Sequence, residues 1–128
     1  MATKKSGVPT EAWEQKQVIK WSQQPSVRMA YPELKFLYHI ENERKCMPQQ
    51  GAERKRMGIK DGVPDLHLPV PAGQYHGLYI EMKALDGKPD VDQLWWIDHL
   101  KENGYACRIC YCWQQATEVL VWYLNLKR

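Results

Sequence analysis

Gly62-Val-Pro-Asp65-Leu66-His-Leu68-Pro-Val70 and, after the turn-rich segment 71–76, Gly77-Leu-Tyr-Ile80-Glu81-Met-Lys83 decide how this chain reads. Side chains alternate across an extended strand. In the first stretch Leu66, Leu68 and Val70 share one face and Asp65 begins the other. In the second, Leu78, Ile80 and Met82 share one face, and Tyr79, Glu81 and Lys83 share the opposite one. The connection Pro-Ala-Gly-Gln-Tyr-His is short and rich in turn residues, as a hairpin requires. If the strands pair, both apolar rows enter a core while Asp65, Glu81 and Lys83 converge. Paired strands lie about 5 Å apart, so one cation can bridge the two carboxylates.

That convergence has a chemical reading. Hard carboxylate oxygens suit Mg²⁺, with Mn²⁺ as a substitute. A bound divalent ion lowers the pKa of water, and a nearby ammonium steadies an attacking hydroxide and the charge that builds on phosphorus. These are the parts of a metal-dependent nuclease. The plainer alternative is a pair of surface strands with a solvated Glu–Lys pair. Either motif alone arises often by chance; both together, on compatible strands, favour the nuclease.

The chain has 128 residues, which suits a single domain with a real core. Six Trp and seven Tyr stand against one Phe. Amphipathic aromatics fit half-buried surfaces, nucleotide stacking or a subunit interface, although the simpler expectation puts most of the Trp in the core. Residues 1–60 carry twelve Lys/Arg and six Asp/Glu, residues 61–128 six and nine. A basic first half beside an acidic second half fits a polyanion-binding flank next to a cation-binding centre. No apolar run approaches the roughly 20 residues that span a bilayer. Basic residues at the N-terminus are followed by no apolar stretch, so a cytoplasmic location and no membrane partner are expected. Cys107, Cys110 and Cys112 form C-x-x-C-x-C, but 105–112 is β-branched and aromatic without Gly or Pro. Core-strand thiols fit it better than a zinc knuckle, and disulfides do not suit a reducing compartment.

Residues 1–9 read as a loose tail. Thr10 is placed to cap a helix running to about Gln24, with Glu14 inside its inward stripe near Trp13, Gln17, Val18 and Trp21. Pro25 and Pro32 bracket a loop, and 34–40 reads as a first strand. Residues 49–57 read as a short helix carrying Arg54, Lys55 and Arg56; with Arg44 and Lys60 these form a candidate phosphate-binding flank, or simply a solvated face. Asp90, with Gln93 in capping-box position, starts a helix that stops at Gly104. A strand over 105–112 and a helix over 114–124 complete an α/β order, a mixed sheet flanked by helices.

The ordered set Gly62-Val-Pro-Asp-Leu66, Ile80-Glu-Met-Lys83, Gln93 at a helix start and Gly104-Tyr105 after it resembles the VRR-NUC domain. So do Glu14, Gln17 and Trp21 in a first helix and Asn42-Glu43 after the next strand. Asp90 stands where a small capping residue is expected, which keeps the capping chemistry. The resemblance implies the restriction-endonuclease-like core of the PD-(D/E)xK superfamily, and a stand-alone type often found in viruses, which would place the chain in the cytoplasm of a host cell. It implies that Asp65, Glu81 and the Met82 backbone carbonyl bind Mg²⁺. Lys83 would position or deprotonate the water, Glu14 would complete the acidic centre, and Gln93 would orient Lys83 or a phosphate. His67 shares the strand face of Asp65 and is the one histidine near the centre.

The expected activity is endonucleolytic hydrolysis of DNA, selective for branched structures such as four-way junctions. A chain this small has little apparatus for reading bases. Cutting opposed strands calls for two sites, and a homodimer supplies them economically. The alternatives are a restriction-type or nicking nuclease on plain duplex, a nucleic-acid-binding module without turnover, and a Cys-cluster metal module. The intact Asp65, Glu81 and Lys83 argue against a module that has lost its chemistry.

Overall fold

The computed structural model describes residues 7–42 and 48–126. The hairpin forms as its alternation demands. Strand β2 (Leu66–Leu68) pairs antiparallel with β3 (Leu78–Met82) in the register Leu66↔Ile80, His67↔Tyr79 and Leu68↔Leu78. One further step of that register sets Asp65 opposite Glu81. Pro69, which cannot donate to a ladder, accompanies the early end of β2. A two-residue strand β1 (Tyr38–His39) joins β2 antiparallel, and β4 (Ala106–Cys110) joins β3 in parallel, giving the order β1-β2-β3-β4.

The parallel pair needs a crossover, and helix α4 (Val91–Glu102) provides it. On the other face lie α1 (Glu11–Ser22) and α5 (Trp113–Asn125). Leu66, Leu68, Leu78, Ile80 and Met82 from the strands meet Val18, Ala116, Leu120, Tyr123 and Leu124 from these helices in one core. Its large aromatic is Tyr123, fully buried, whose hydroxyl donates to the Val70 carbonyl at 2.6 Å. The mixed sheet flanked by helices is therefore the observed architecture.

Three local readings change. The stretch 34–40 is a strand only at Tyr38–His39; Pro32–Phe36 is a 3₁₀ turn. Pro32 presets the first φ of that turn, and the turn drops Leu34 into the core at 1% exposure. Apolar residues at 34, 36, 37, 38 and 40 never gave a strict period of two. Pro25 does not open a loop but stands at the first position of helix α2 (Pro25–Ala30), where its missing N–H costs nothing. The tryptophans are not core residues. Trp13, Trp21, Trp96 and Trp113 are half-buried, and Trp95 and Trp122 are exposed. Helix α3 (Pro48–Arg56) matches its expected position within a residue, as does α5.

Gly62 locks the approach to the site. It has φ +89°, and a Cβ there would stand 2.8 Å from Asp92 Cβ and 2.9 Å from the Asp92 carbonyl carbon. Trp96 Nε1 donates to the Asp61 carbonyl at 3.1 Å, binding the same loop to α4. Gly62→Ala would have to push away the first turn of α4 and hold a strained φ. A loss of about 1–3 kcal/mol is expected, read as a lower thermal midpoint. Unchanged melting would mean that the loop stands off α4 in solution.

Candidate active site

Asp65 precedes β2, and Glu81 lies in β3 with Lys83 immediately beyond it. The three residues are 3%, 3% and 9% exposed. Buried charges need partners, and each has them. Asp65 Oδ2 accepts from the Met82 N–H at 2.8 Å, pinning the aspartate across the hairpin. Its own backbone carbonyl accepts from the Ile40 N–H at 2.8 Å and lies 2.9 Å from His39 Nδ1. The Lys83 N–H donates to the Cys110 carbonyl at 2.9 Å, and its Nζ lies 3.5 Å from Glu81 Oε2.

Gln93 joins this group through its helix cap. Asp90 Oδ1 accepts from the Gln93 N–H at 3.0 Å, and Gln93 Oε1 accepts from the Asp90 N–H at 2.9 Å. The reciprocal box fixes which end of the amide points inward. Nε2 then donates to Glu81 Oε2 at 2.8 Å. The partner of Gln93 is thus Glu81 rather than Lys83.

Burial, and after it the charge of Asp65, pushes the Glu81 carboxyl up to about 8; Lys83 pulls it down and Glu11 adds to the rise. Two neighbouring carboxylates taken out of water repel each other, and a divalent cation between them removes the cause. Among the described residues no three His, Cys, Asp or Glu side chains form a ligand cluster. Two carboxylates and a backbone carbonyl nevertheless suit Mg²⁺, which takes one or two carboxylates and keeps several waters. They do not suit a structural zinc site, which wants four Cys or His ligands.

A family model described as the VRR-NUC domain matches residues 9–113. The chain belongs to the VRR-NUC family. A solved structure titled "VRR_NUC domain protein" is similar at 30% identity with a TM-score of 0.73, covering 93% of this chain and 91% of that one. No curated protein matches the chain. VRR-NUC is a nuclease family, and DNA is the substrate that a nuclease domain implies.

Two glutamates of α1 divide the labour in this VRR-NUC domain. Glu14 is buried, and its Oε1 accepts from the Trp113 N–H at 2.8 Å, which caps α5. Glu11, one turn earlier, accepts from the Ala84 N–H at 3.3 Å through Oε2, and its charge bears on Glu81. In sequence Glu11 is an acidic residue of a helix's first turn, favourable there whatever else it touches. Its spacing of seven from the buried Val18 was the available signal, because seven residues return a helix almost to the same face.

The basic flank is partly engaged within the VRR-NUC fold. Arg54 pairs with Glu41, and Arg56 with Glu53 at 2.7 Å. Lys55 and Lys60 are exposed. Arg44, like Glu43 and Cys46, lies outside the described residues, and so do residues 1–6 of the expected tail. His67 shares the strand face of Asp65 but is engaged with its neighbours: its ring stacks on Tyr79 at 4.1 Å, with Nδ1 2.9 Å from the Tyr38 hydroxyl. Cys107 and Cys110 are buried thiols, pushed up by burial to about 11 and about 12. No helix among the described residues is long and apolar enough to cross a membrane.

Proposed function

We propose that this chain is a Mg²⁺-dependent endonuclease that hydrolyses DNA phosphodiester bonds and selects branched DNA, four-way junctions included. The observation that supports it most is the cross-strand pair Asp65–Glu81 with Lys83 beside it, all buried, at the open end of a hairpin. Asp65, Glu81 and the Met82 carbonyl would hold the ion. When bound, Mg²⁺ or Mn²⁺ supplies an acidified water and positive charge at the phosphate. Lys83 presents its ammonium where it can hold the attacking oxygen and offset the growing phosphoryl charge. Gln93 keeps Glu81 in one orientation. Glu11 adds negative charge on the α1 side and draws cations inward, while Glu14 holds the start of α5 in place behind it.

A panel of single strand, duplex, flap, fork and four-way junction, each with Mg²⁺, Mn²⁺ or EDTA, tests the proposal. Cutting of junction or fork in either metal, silenced by EDTA, is expected. Equal rates on plain duplex would favour the restriction-type or nicking reading.

Phosphate binding falls to the basic segment. Neutralising Arg54, Lys55 and Arg56 together should weaken binding to every DNA and flatten its salt dependence by up to about 0.9 for each phosphate no longer neutralised. Because Arg54 and Arg56 already pair with glutamates, Lys60→Ala alone should reproduce part of that change. An unchanged salt slope in both variants would leave the segment merely solvated.

The pair of cuts that resolves a junction needs two centres, and we infer a homodimer. Val91, Leu94 and Trp95 are exposed on α4, 81%, 45% and 53% respectively, while Gln93 and Ile97 of the same helix are buried. This apolar strip supplies an interface of the required kind. Mixing active protein with excess Glu81→Ala subunits should convert paired cuts into single nicks. A monomer by light scattering at micromolar concentration, giving only uncorrelated nicks, would remove the dimer and keep the nuclease.

A further inference from the structure

The strand face that carries Asp65 and Glu81 does not end with them. The pairing register runs Tyr38↔His67, His67↔Tyr79 and Tyr79↔Cys107, a single row across all four strands. His67 is two residues beyond Asp65 and Tyr79 two residues before Glu81. The row therefore adjoins the carboxylate pair at about 6.6 Å along the strands, within reach of the sugar and base attached to a phosphate held there. Exposure rises along the row. Cys107 is buried under the α4 side, His67 and Tyr79 are half-buried, and Tyr38 at the β1 edge is 47% exposed.

The rings hold one another rigid. His67 and Tyr79 stack with 3° between their planes, Tyr38 stands edge-on to His67 at 5.4 Å and 66°, and Tyr105 stands edge-on to Tyr79 at 5.4 Å and 73°. A surface with so little rotamer freedom loses little more on binding. It also costs the fold something, because His67 Nε2 is buried with no hydrogen-bond partner among the described residues. An aliphatic β-branched residue would serve the sheet better there. Local choices that work against the fold point to function.

We propose that the row Tyr38–His67–Tyr79 is a stacking seat for an unpaired base of the strand whose phosphate lies at Asp65 and Glu81. The inference rests on the nuclease reading of that site and adds a physical source for its selectivity. In plain duplex every base is already stacked and paired. At a fork, a flap or the centre of a junction a base is free to lie on Tyr38. Aromatic stacking accepts any base, so the seat reads DNA structure and not sequence.

The test uses the full chain without divalent ions, so that cleavage does not interfere, and a fork carrying 2-aminopurine at its first unpaired position. Quenching of that fluorophore on binding is expected. Tyr38→Ala should abolish the quenching and weaken fork binding about fivefold or more relative to plain duplex, the lower end of one stacked base. Tyr38→Phe should keep both, and Tyr38→Leu, which preserves apolar packing at the edge strand, should behave as Tyr38→Ala. Absence of quenching in the wild type overturns the seat, as does equal weakening of fork and duplex binding by Tyr38→Leu. Fork cleavage in Mg²⁺ without quenching would remove the seat alone. Quenching with no cleavage in Mg²⁺ or Mn²⁺ would remove the nuclease reading and leave a binding surface.

Discussion

Glu81→Gln is expected to melt at a higher temperature than the wild type at pH 8 and to lose DNA cleavage. The two effects share one cause. The carboxyl of Glu81 is pushed from its ordinary 4.5 up to about 8, first by burial and then by Asp65. Between those values the folded chain binds a proton that the unfolded chain does not, so stability falls as pH rises through that window. A neutral amide of the same shape removes the penalty and still accepts from Gln93 Nε2. It no longer offers the negative oxygen that a divalent ion needs. A loss of about 10³-fold or more is expected, since several kcal/mol of charge stabilisation depend on the ion. Asp65→Ala should be equally inactive but less stable by about 1–3 kcal/mol, because it strands the buried Met82 N–H. DNA affinity should survive in both and can rise, because a carboxylate no longer repels the backbone. Melting curves from pH 5 to 9, with and without Mg²⁺, check the first half, and single-turnover cleavage checks the second. Near-normal turnover by either variant in Mg²⁺ would remove the central proposal.

Lys83→Ala should cost about 10²–10⁴-fold in rate, the scale of a positioned proton-transfer or charge-stabilising group. Lys83 is also among the influences that hold the Glu81 carboxyl down. Its removal therefore sends that carboxyl higher still, and protons compete harder with metal at neutral pH. Calorimetry should find Mg²⁺ affinity reduced at pH 7 and recovered at pH 9, while the rate stays low at both. Affinity that collapses at both pH values would make Lys83 a structural residue and not a catalytic one.

The legible parts of this chain are those in which one local rule dominates. Alternation over 77–83 fixed β3 and the face of Glu81. The Asp90–Gln93 spacing fixed the start of α4, and the bond from Gln93 to Glu81 follows from that cap. The parts that misled carry mixed signals. In 34–40 both faces are apolar, so neither strand nor turn is specified without the core that receives Leu34. Glu11 and Glu14 lie within one helical stripe, and only the neighbours, Ala84 for one and Trp113 for the other, tell them apart. The pairing of Arg54 with Glu41 joins residues thirteen apart in sequence, a distance over which charge patterning carries no rule. Six tryptophans suggested a bulky core, yet the core is mainly aliphatic around Tyr123; Trp21 and Trp113 only pack against its edge, and Trp95 and Trp122 are exposed.

The reciprocal cap of α4 makes the geometry proposed for cleavage depend on one turn of helix, through the two hydrogen bonds between Asp90 and Gln93. Helix ends open long before a domain unfolds. Each opening of the first turn of α4 releases Gln93 and leaves Glu81 without its restraint, although the sheet beneath is intact. Turnover should therefore decline on warming at temperatures where circular dichroism still reports a fully folded chain. Amide hydrogens at Gln93 and Leu94 should exchange with deuterium faster than those of β3. The thermal ceiling of the enzyme would then be set by one turn of helix, and a mutation that tightens that turn should extend the working range without raising the melting point.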